Sequence, residues 1–453
     1  MTPAPLQALP EDYSLLTDLY QLTMSACYVG EGLDQRRASF ELFTRRLPPD
    51  FGYLIAMGLA QAIEYLETWT FCDRHLTQLQ ALGVFDQAPA AFWETLRDAR
   101  FTGDVWAVPE GTAVFANEPL LRIEAPLWQA QVAETYLLNT LNYQTLIATR
   151  AARMRDMAGP EAKLLEFGTR RAFSPQGAMW AARAALAGGF DSTSNVLAAM
   201  QLGQQPTGTM AHALVMAIAA LEGSEADAFA AFQRYFPGAP LLIDTYDTVA
   251  AARYLAASRQ QGELGLAGVR LDSGELVSLS QQVREILPGV PIFVSGDVDE
   301  YAIAEMRQAG AIIDGYGLGT RLVTGKPVNG VYKLVDIAGI PVMKESSSKA
   351  TYPGRKQVFR QYQGDRAVKD WLGLASESHN HGAQPLLQPV MQAGQRVSEP
   401  ESLATIAERT AHSVAALPES SRRVRDPSAY DVEITPELLA LTQTTRQAAV
   451  SLQ

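Results

Sequence analysis

Between residues 164 and 334 short apolar runs recur, the last four at a near-regular interval, and that rhythm constrains the fold more than any other feature of the chain. The runs fall at 164–167, 241–243, 268–271, 292–294 and 312–313. Helical patterns at 248–257, 275–287 and 300–309 separate the last four. Each unit takes roughly 20–30 residues, the length of a strand plus a returning helix. Such alternation reads as βα units whose parallel strands pack as a barrel or an open sheet. There is no exact repeat and no low-complexity segment.

The flanks read differently. Leu15, Leu19, Leu22 and Ala26 lie at helical spacing within 15–29. A period-two segment follows at 38–43, then a helix over 55–68. Gly and Pro punctuate short β-type runs across 101–124, the pattern of a small antiparallel sheet. A long helical stretch over 128–158 stops at Gly159-Pro160. After Leu334 the pattern turns irregular. Residues 385–431, rich in Pro, Ser and charge, read as an extended return to the first domain.

Bulk properties exclude several classes. At 453 residues the chain can fill one large domain or two or three smaller ones. No uninterrupted apolar run reaches the ~18 residues of a membrane span. The start, MTPAPLQALPEDYS, has neither the basic residues nor the apolar run of a secretory signal. Cys27 and Cys72 are too few for a disulfide framework, fit a reducing cytoplasm, and lie in no Cys/His cluster of zinc spacing. The net charge is −12, and basic clusters reach two or three residues, as at Ser421-Arg422-Arg423. No nucleic-acid partner is expected from that balance. An anionic substrate would need local Arg, Lys, backbone N–H groups and Mg²⁺ to overcome the bulk field.

Polar residues in the βα half follow the apolar runs. Glu166-Phe167-Gly168-Thr169-Arg170 closes the first, Asp244-Thr245-Tyr246-Asp247 the second, and Arg270-Leu271-Asp272-Ser273-Gly274 the third. Ser295-Gly296-Asp297 follows the fourth, and Gly315-Tyr316-Gly317-Leu318-Gly319-Thr320-Arg321 the fifth. In βα barrels the loops at the C-terminal strand ends build the active site. Each piece has a bland alternative. Asp247 also fits a helix N-cap. Arg270 and Asp272, two apart on one strand face, also fit a structural ion pair. The glycines also fit ordinary turns, although with Thr320 they can offer N–H groups and a hydroxyl to phosphate. His212 closes Pro206-Thr207-Gly208-Thr209-Met210-Ala211-His212, just before an apolar helix at 213–221. It is either structural or a phosphoryl carrier, since a helix N-terminus stabilises an adjacent anion.

Taken in order, DLYQLTM, EFGTRRAFSPQG, GGFDSTSNV, PTGTMAH, LLIDTYDT, GVRLDSGEL, IFVSGDVDE, GLGTRLVT and GVYKLV resemble the nicotinate phosphoribosyltransferases, from about residue 12 to 360. The resemblance implies an α/β chain with an irregular βα barrel-like domain plus a mixed α/β domain built from both chain ends. The expected boundaries are 1–140, 141–335 and a return segment, 336–453. It implies a homodimeric cytoplasmic enzyme of NAD salvage. Nicotinate, 5-phosphoribosyl 1-diphosphate and ATP would be its substrates, Mg²⁺ its cofactor and a phosphohistidine its coupling device. By position, Tyr20 and Phe167 would sandwich the pyridine ring, with Asp18 and Tyr20 supplied by the neighbouring subunit. Gly168 would bind substrate beside Phe167, Arg170 and Arg270 would lie by nicotinate and diphosphate, and Thr209 beside nicotinate. Asp244 and Asp272 would hold ribose hydroxyls or Mg²⁺. Ser295, Gly296, Asp297, Gly317, Gly319 and Thr320 would cradle the 5-phosphate, Lys333 would reach phosphate, and His212 would be phosphorylated. Ala213 stands where the family often has Ser, which removes a hydroxyl but not the imidazole. The basic segment 344–356 (KESSSKATYPGRK) fits either a lid over phosphates or a solvated loop.

Three rivals follow. A nicotinamide phosphoribosyltransferase would carry an acid facing the amide, where this chain has the neutral Ser194. A barrel lyase or isomerase would need a Lys or Glu base at a strand end, and Glu166 is the candidate. A non-enzymatic binder would not explain the clustering of titratable residues.

Overall fold

The computed structural model describes residues 6–97, 99–262, 265–346, 349–378 and 382–451. The chain divides into a terminal unit, Met1–Leu146 with Pro327–Gln453, and a central unit, Ile147–Lys326. The strand Gly330–Ile337, which the expected boundary at 335 would cut, falls wholly in the terminal unit.

The terminal unit is built on a seven-stranded antiparallel sheet. Its order is Ile340–Pro341, Gly330–Ile337, Arg37–Thr44, Pro119–Pro126, Asp104–Ala107, Gln388–Gln392 and Gln395–Arg396. The strand Arg37–Thr44 is buried on both faces beyond its first residue. It therefore buries Glu41, whose charge is met by the Lys356 ammonium at 2.8 Å. The strands at 104–107 and 119–126 do not form the small separate sheet expected for 101–124. They join this large one, while Ala113–Val114 pairs with Leu54–Ile55. The long helical stretch is two helices, Leu127–Val132 and Glu134–Ala158. The first long helix starts at Leu19 rather than near Leu15, because Pro10–Leu15 coils as a 3₁₀ turn. Likewise the second starts at Leu59.

Beyond Leu334 the chain is more regular than its sequence pattern. Lys356–Gln363 and Arg366–Leu374 form a long antiparallel hairpin, and helices occupy Leu403–Ala416 and Pro436–Ser451. Within the basic 344–356 segment, Glu345–Ser346 pairs with Lys349–Ala350, while Ser347 and Ser348 lie outside the described residues. Lys356, the end of that segment, is buried and donates to the Tyr352 and Gly354 carbonyls. It is a core cation and not part of a lid.

The central unit holds a six-stranded parallel sheet. Its order is Ser192–Thr193, Lys163–Glu166, Gly315–Leu318, Ile292–Val294, Val269–Leu271 and Leu241–Leu242. Helices Thr248–Gln260, Leu276–Ile286 and Glu300–Gln308 connect the last four in chain order. The order is linear, so the barrel-like sheet keeps two edges. Leu164, Leu241, Val269, Leu271, Ile292, Val294 and Leu318 are completely buried. The expected strand at 312–313 is displaced: Ile312 is 41% exposed, and the strand is Gly315–Leu318. Gly315 and Gly317 suit it because large rings cover them. A Cβ on Gly315 would sit 2.7 Å from the Phe293 ring.

Candidate active site

All six strands are parallel, so their C-terminal ends open on one edge of the sheet. Phe167, Asp244, Asp272, Ser295-Gly296-Asp297 and Gly319-Thr320 all lie at or just beyond those ends. Gly317 is an exception to the expected loop: it sits inside the strand Gly315–Leu318. A Cβ there would lie 2.5 Å from the Phe167 ring, so the glycine makes room for that ring. Gly168 is equally constrained, since a Cβ would meet Val323 at 2.3 Å.

Two carboxylates organise the edge. Asp244 Oδ2 accepts hydrogen bonds from the Asp272 amide at 2.8 Å and the Ser273 hydroxyl at 2.7 Å. Its Oδ1 is buried and has no hydrogen-bond partner among the described residues. Asp272 Oδ1 accepts from the Ser295 hydroxyl, and its Oδ2 lies 4.0 Å from His212 Nε2. The other imidazole nitrogen, Nδ1, is 3.1 Å from the Thr245 hydroxyl. His212 opens the eleven-residue helix His212–Glu222 and is part exposed. Arg270 donates to the Thr209 hydroxyl, and its buried Nε has no partner among the described residues. Burial lowers the Arg270 pKa, Asp272 and Asp244 oppose that shift, and the exposed Arg170 adds to it. The alternative of a simple Arg270–Asp272 ion pair therefore gives way to a wider polar group.

The turn after Ile292–Val294 is tight. Gly296 has φ +94° and Asp297 φ +52°, and a Cβ on Gly296 would fall 2.3 Å from the Asp272 carbonyl oxygen. Only glycine fits that approach. Gly319 precedes a single helical turn, Thr320–Val323. Arg150 anchors this turn by donating to the Arg321 and Thr324 carbonyls.

Two alternatives raised by the sequence resolve here. Asp247 caps the helix Thr248–Gln260 by accepting from the Ala250 amide at 2.9 Å. Glu166 is completely buried, with its oxygens taken by the Gly168 amide and the Thr193 hydroxyl. Burial raises its pKa, and these two bonds oppose the shift. A carboxyl so enclosed cannot act as the base of a lyase or isomerase.

Asp18, Tyr20 and Lys333 belong to the terminal unit and gather around the start of the helix Glu134–Ala158. Asp18 Oδ2 accepts from the Thr135 hydroxyl at 2.8 Å. The Lys333 ammonium is 3.9 Å from Glu134 Oε1. Tyr20 is 46% exposed. Its hydroxyl pKa is pushed up to about 12, by burial first, then by the charge of Glu134 and a hydrogen bond to it, and by Asp18. Sequence reasoning missed Glu134, Thr135, Ser273, Thr245 and Arg150. Ser273 and Thr245 adjoin chosen carboxylates and carried a signal; the other three needed the tertiary fold.

Among the described residues, no group of three or more His, Cys, Asp or Glu is placed to hold a metal. The Asp244–Asp272 pair offers hard oxygen ligands with one buried oxygen unpaired. That suits Mg²⁺, which binds through one or two carboxylates together with substrate phosphates.

Comparison with known proteins gives a consistent result. Sequence profiles match over 15–142 for the nicotinate phosphoribosyltransferase N-terminal domain, 162–295 for the nicotinate phosphoribosyltransferase family, and 375–442 for its C-terminal domain. A nicotinate phosphoribosyltransferase of Mycobacterium tuberculosis is 39% identical over 438 residues, covering 94% of this chain and 92% of that protein. The Bacillus subtilis enzyme is 41% identical over 393 residues, covering 82% and 78%. The crystal structure of human nicotinic acid phosphoribosyltransferase superposes with a TM-score of 0.82 at 32% identity, covering 94% of this chain and 99% of that one. With these likenesses spanning both units and the strand-end residues, the chain belongs to the nicotinate phosphoribosyltransferase family.

Proposed function

We propose that the chain couples ATP hydrolysis, through a phosphate carried on His212, to the joining of nicotinate and 5-phosphoribosyl 1-diphosphate. As a member of its family it makes nicotinate mononucleotide for NAD salvage. The pyridine nitrogen's lone pair forms the bond to ribose C1 as the C1–O bond breaks, and the electron pair leaves on diphosphate. The attacking nitrogen carries no proton, so no general base is required. Asp272 and Asp244 stabilise the positive charge that develops on the sugar, and Arg270 and Arg170 the negative charge on the leaving group. Asp244, through its unpaired Oδ1, and Asp272 would also hold Mg²⁺, which would neutralise diphosphate charge. Phe167 and Tyr20 stack on the ring, and Thr209 orients Arg270 beside nicotinate. The residues Ser295, Gly296, Asp297, Gly319 and Thr320 take the 5-phosphate, with Gly168 and Gly317 shaping the Phe167 pocket. Lys333 meets phosphate. The protein works as a cytoplasmic homodimer in which Asp18 and Tyr20 serve the neighbouring subunit.

The observation that carries this reading is the arrangement of His212 4.0 Å from Asp272, on an edge that also holds Asp244 and Arg270. None of the bond-breaking groups is lost in His212→Ala. That variant is expected to lose ATP hydrolysis and ATP stimulation while keeping slow, ATP-independent synthesis of nicotinate mononucleotide. Wild-type protein incubated with γ-labelled ATP should carry acid-labile, base-stable label on the His212 peptide. Label that maps elsewhere, or that persists in the alanine variant, rejects the coupling role. Parallel assays with nicotinamide test the choice of substrate, for which the neutral Ser194 favours nicotinate.

A further inference from the structure

Glu166 is too enclosed to be a base, yet a completely buried carboxyl is costly to keep unless its bonds matter. It ends the strand Lys163–Glu166, directly before Phe167, and stands opposite Thr193 in the parallel pairing with Ser192–Thr193. Its Oε1 accepts from the Gly168 amide, and its Oε2 accepts from the buried Thr193 hydroxyl at 2.5 Å. The carboxyl therefore bridges the residue after Phe167 to the residue before Ser194. Gly168 permits the approach, since a Cβ there would lie 2.8 Å from Glu166 Oε1.

Main-chain bonds extend the bridge. The Ser194 amide donates to the Glu166 carbonyl at 2.9 Å, and the Asn195 amide donates to the Thr193 hydroxyl oxygen at 2.9 Å. Ser194 is thus held at its own amide and at the next. Phe167 is held in the same way, its amide donating to the Leu318 carbonyl at 2.8 Å and the next amide to Glu166. The Thr193 carbonyl accepts from the Thr207 amide at 2.9 Å, two residues before Thr209. Phe167 and Ser194 are both half-buried, so their placement depends on the backbone beside them more than on enclosure by a core.

We propose that Glu166 is a positioning residue for the pyridine pocket: by bridging the Gly168 amide and the Thr193 hydroxyl, it sets the Phe167 ring against Ser194 and so supports the choice of nicotinate over nicotinamide. The proposal rests on the roles given above to Phe167 and Ser194. It differs from a general structural role in acting on one substrate. Breaking the bridge should weaken nicotinate and leave 5-phosphoribosyl 1-diphosphate, which neither residue is proposed to meet.

Thr193→Val keeps the side chain's shape and leaves Glu166 Oε2 without its donor. The nicotinate KM should rise about tenfold, the scale of one hydrogen bond to a charged group, with kcat little changed. The preference for nicotinate over nicotinamide, read as a ratio of kcat/KM, should narrow with it. The KM for 5-phosphoribosyl 1-diphosphate should stay at the wild-type value. Thr193→Ser keeps the hydroxyl and should restore the nicotinate KM. Glu166→Gln puts an amide where an acceptor is needed and should behave as Thr193→Val does. The two changes break one bridge, so the double variant should be no worse than the more severe single one. Thr193→Cys retains a weak S–H donor and should raise the nicotinate KM about threefold, which keeps the measurement available if valine is not tolerated. Both substrate KM values rising together, multiplicative effects in the double variant, or an unmoved nicotinate KM overturns the proposal. A chain that folds with neither valine nor cysteine at 193 makes the bridge a requirement of folding and overturns it too. Phe167→Ala with an unchanged nicotinate KM, or Ser194→Asp with an unchanged preference between the two pyridines, overturns instead the reading on which it rests.

Discussion

At the scale of single residues, Gly317 and Gly315 set a proposed substrate contact against a packing contact. They share one strand, and neither has the left-handed backbone that only glycine tolerates. Alanine is excluded in both cases by a ring: Phe167 at 2.5 Å from Gly317, and Phe293 at 2.7 Å from Gly315. Each alanine substitution should cost about 1–3 kcal/mol of stability by overpacking. Only Gly317→Ala should also raise the nicotinate KM, by about tenfold, because the ring it displaces is the one proposed to stack on the substrate. Equal kinetics for the two variants would remove Phe167 from the ring clamp. The same scale shows what sequence can announce. Asp244 and Asp272 stood out as acids after apolar runs, but so did Asp247, and nothing in the pattern distinguished a helix cap from a site carboxylate. Glu134 gave no signal, because its partners Gln21 and Lys333 lie 113 and 199 residues away in the chain.

At the scale of elements, the hairpin Lys356–Gln363/Arg366–Leu374 is held by a buried charge group. Arg360 faces Asp370 across the hairpin and donates to both its oxygens, Nε to Oδ1 at 2.9 Å and Nη2 to Oδ2 at 2.6 Å. Phe115 and Tyr430 stack with centroids 4.0 Å apart, and the guanidinium lies 5.4 and 5.9 Å from their rings. Glu118 joins the group, accepting from the Phe115 amide at 2.8 Å. Burial, and then the charge of Asp370, push its carboxyl well above the ordinary value of 4.5, with Arg360 opposing. Below 4.5 the folded and unfolded chains both carry that proton. As pH rises past 4.5 the unfolded chain releases it first, so stability falls until the folded carboxyl also ionises, by up to about 1.4 kcal/mol per pH unit. Glu118→Gln has no such proton. In urea unfolding from about pH 5 to 8, the wild type should therefore lose stability relative to this variant; parallel profiles would show Glu118 ionised in the fold. None of this hairpin was legible in the sequence, because buried Lys356, Arg360 and Asp370 broke the apolar alternation by which strands are read. In the central unit the reverse held. Ser192–Thr193 has no apolar residue to announce it, but the other five strands bury Val, Ile or Leu and stand out as runs, with one displacement, from 312–313 to 315–318. There glycines under aromatic rings made the true strand look like a turn.

At the scale of the whole molecule, a chain of net charge −12 is proposed to bind two multiply charged anions, so its positive groups must be gathered where substrates bind. Arg170 and Arg270 lie in the central unit, and Tyr20 and Lys333 in the terminal unit. The proposal that Asp18 and Tyr20 serve the neighbouring subunit makes a prediction that no single variant tests. Tyr20→Ala should impair the clamp, and Asp272→Asn should remove a carboxylate needed at ribose. Each homodimer has the same defect in both sites. In a mixed dimer, a Tyr20 supplied across the interface gives one site both lesions and the other neither. One fully competent site per mixed dimer should then appear, with a wild-type nicotinate KM and half the wild-type kcat. If Tyr20 serves its own subunit, every site in the mixed dimer keeps one lesion and mixing restores nothing. Co-expression with two affinity tags isolates the mixed species, and sedimentation establishes that it is a dimer before the rates are read. The wild-type KM is the decisive quantity, since partial recovery of rate alone could come from an average of two weakened sites.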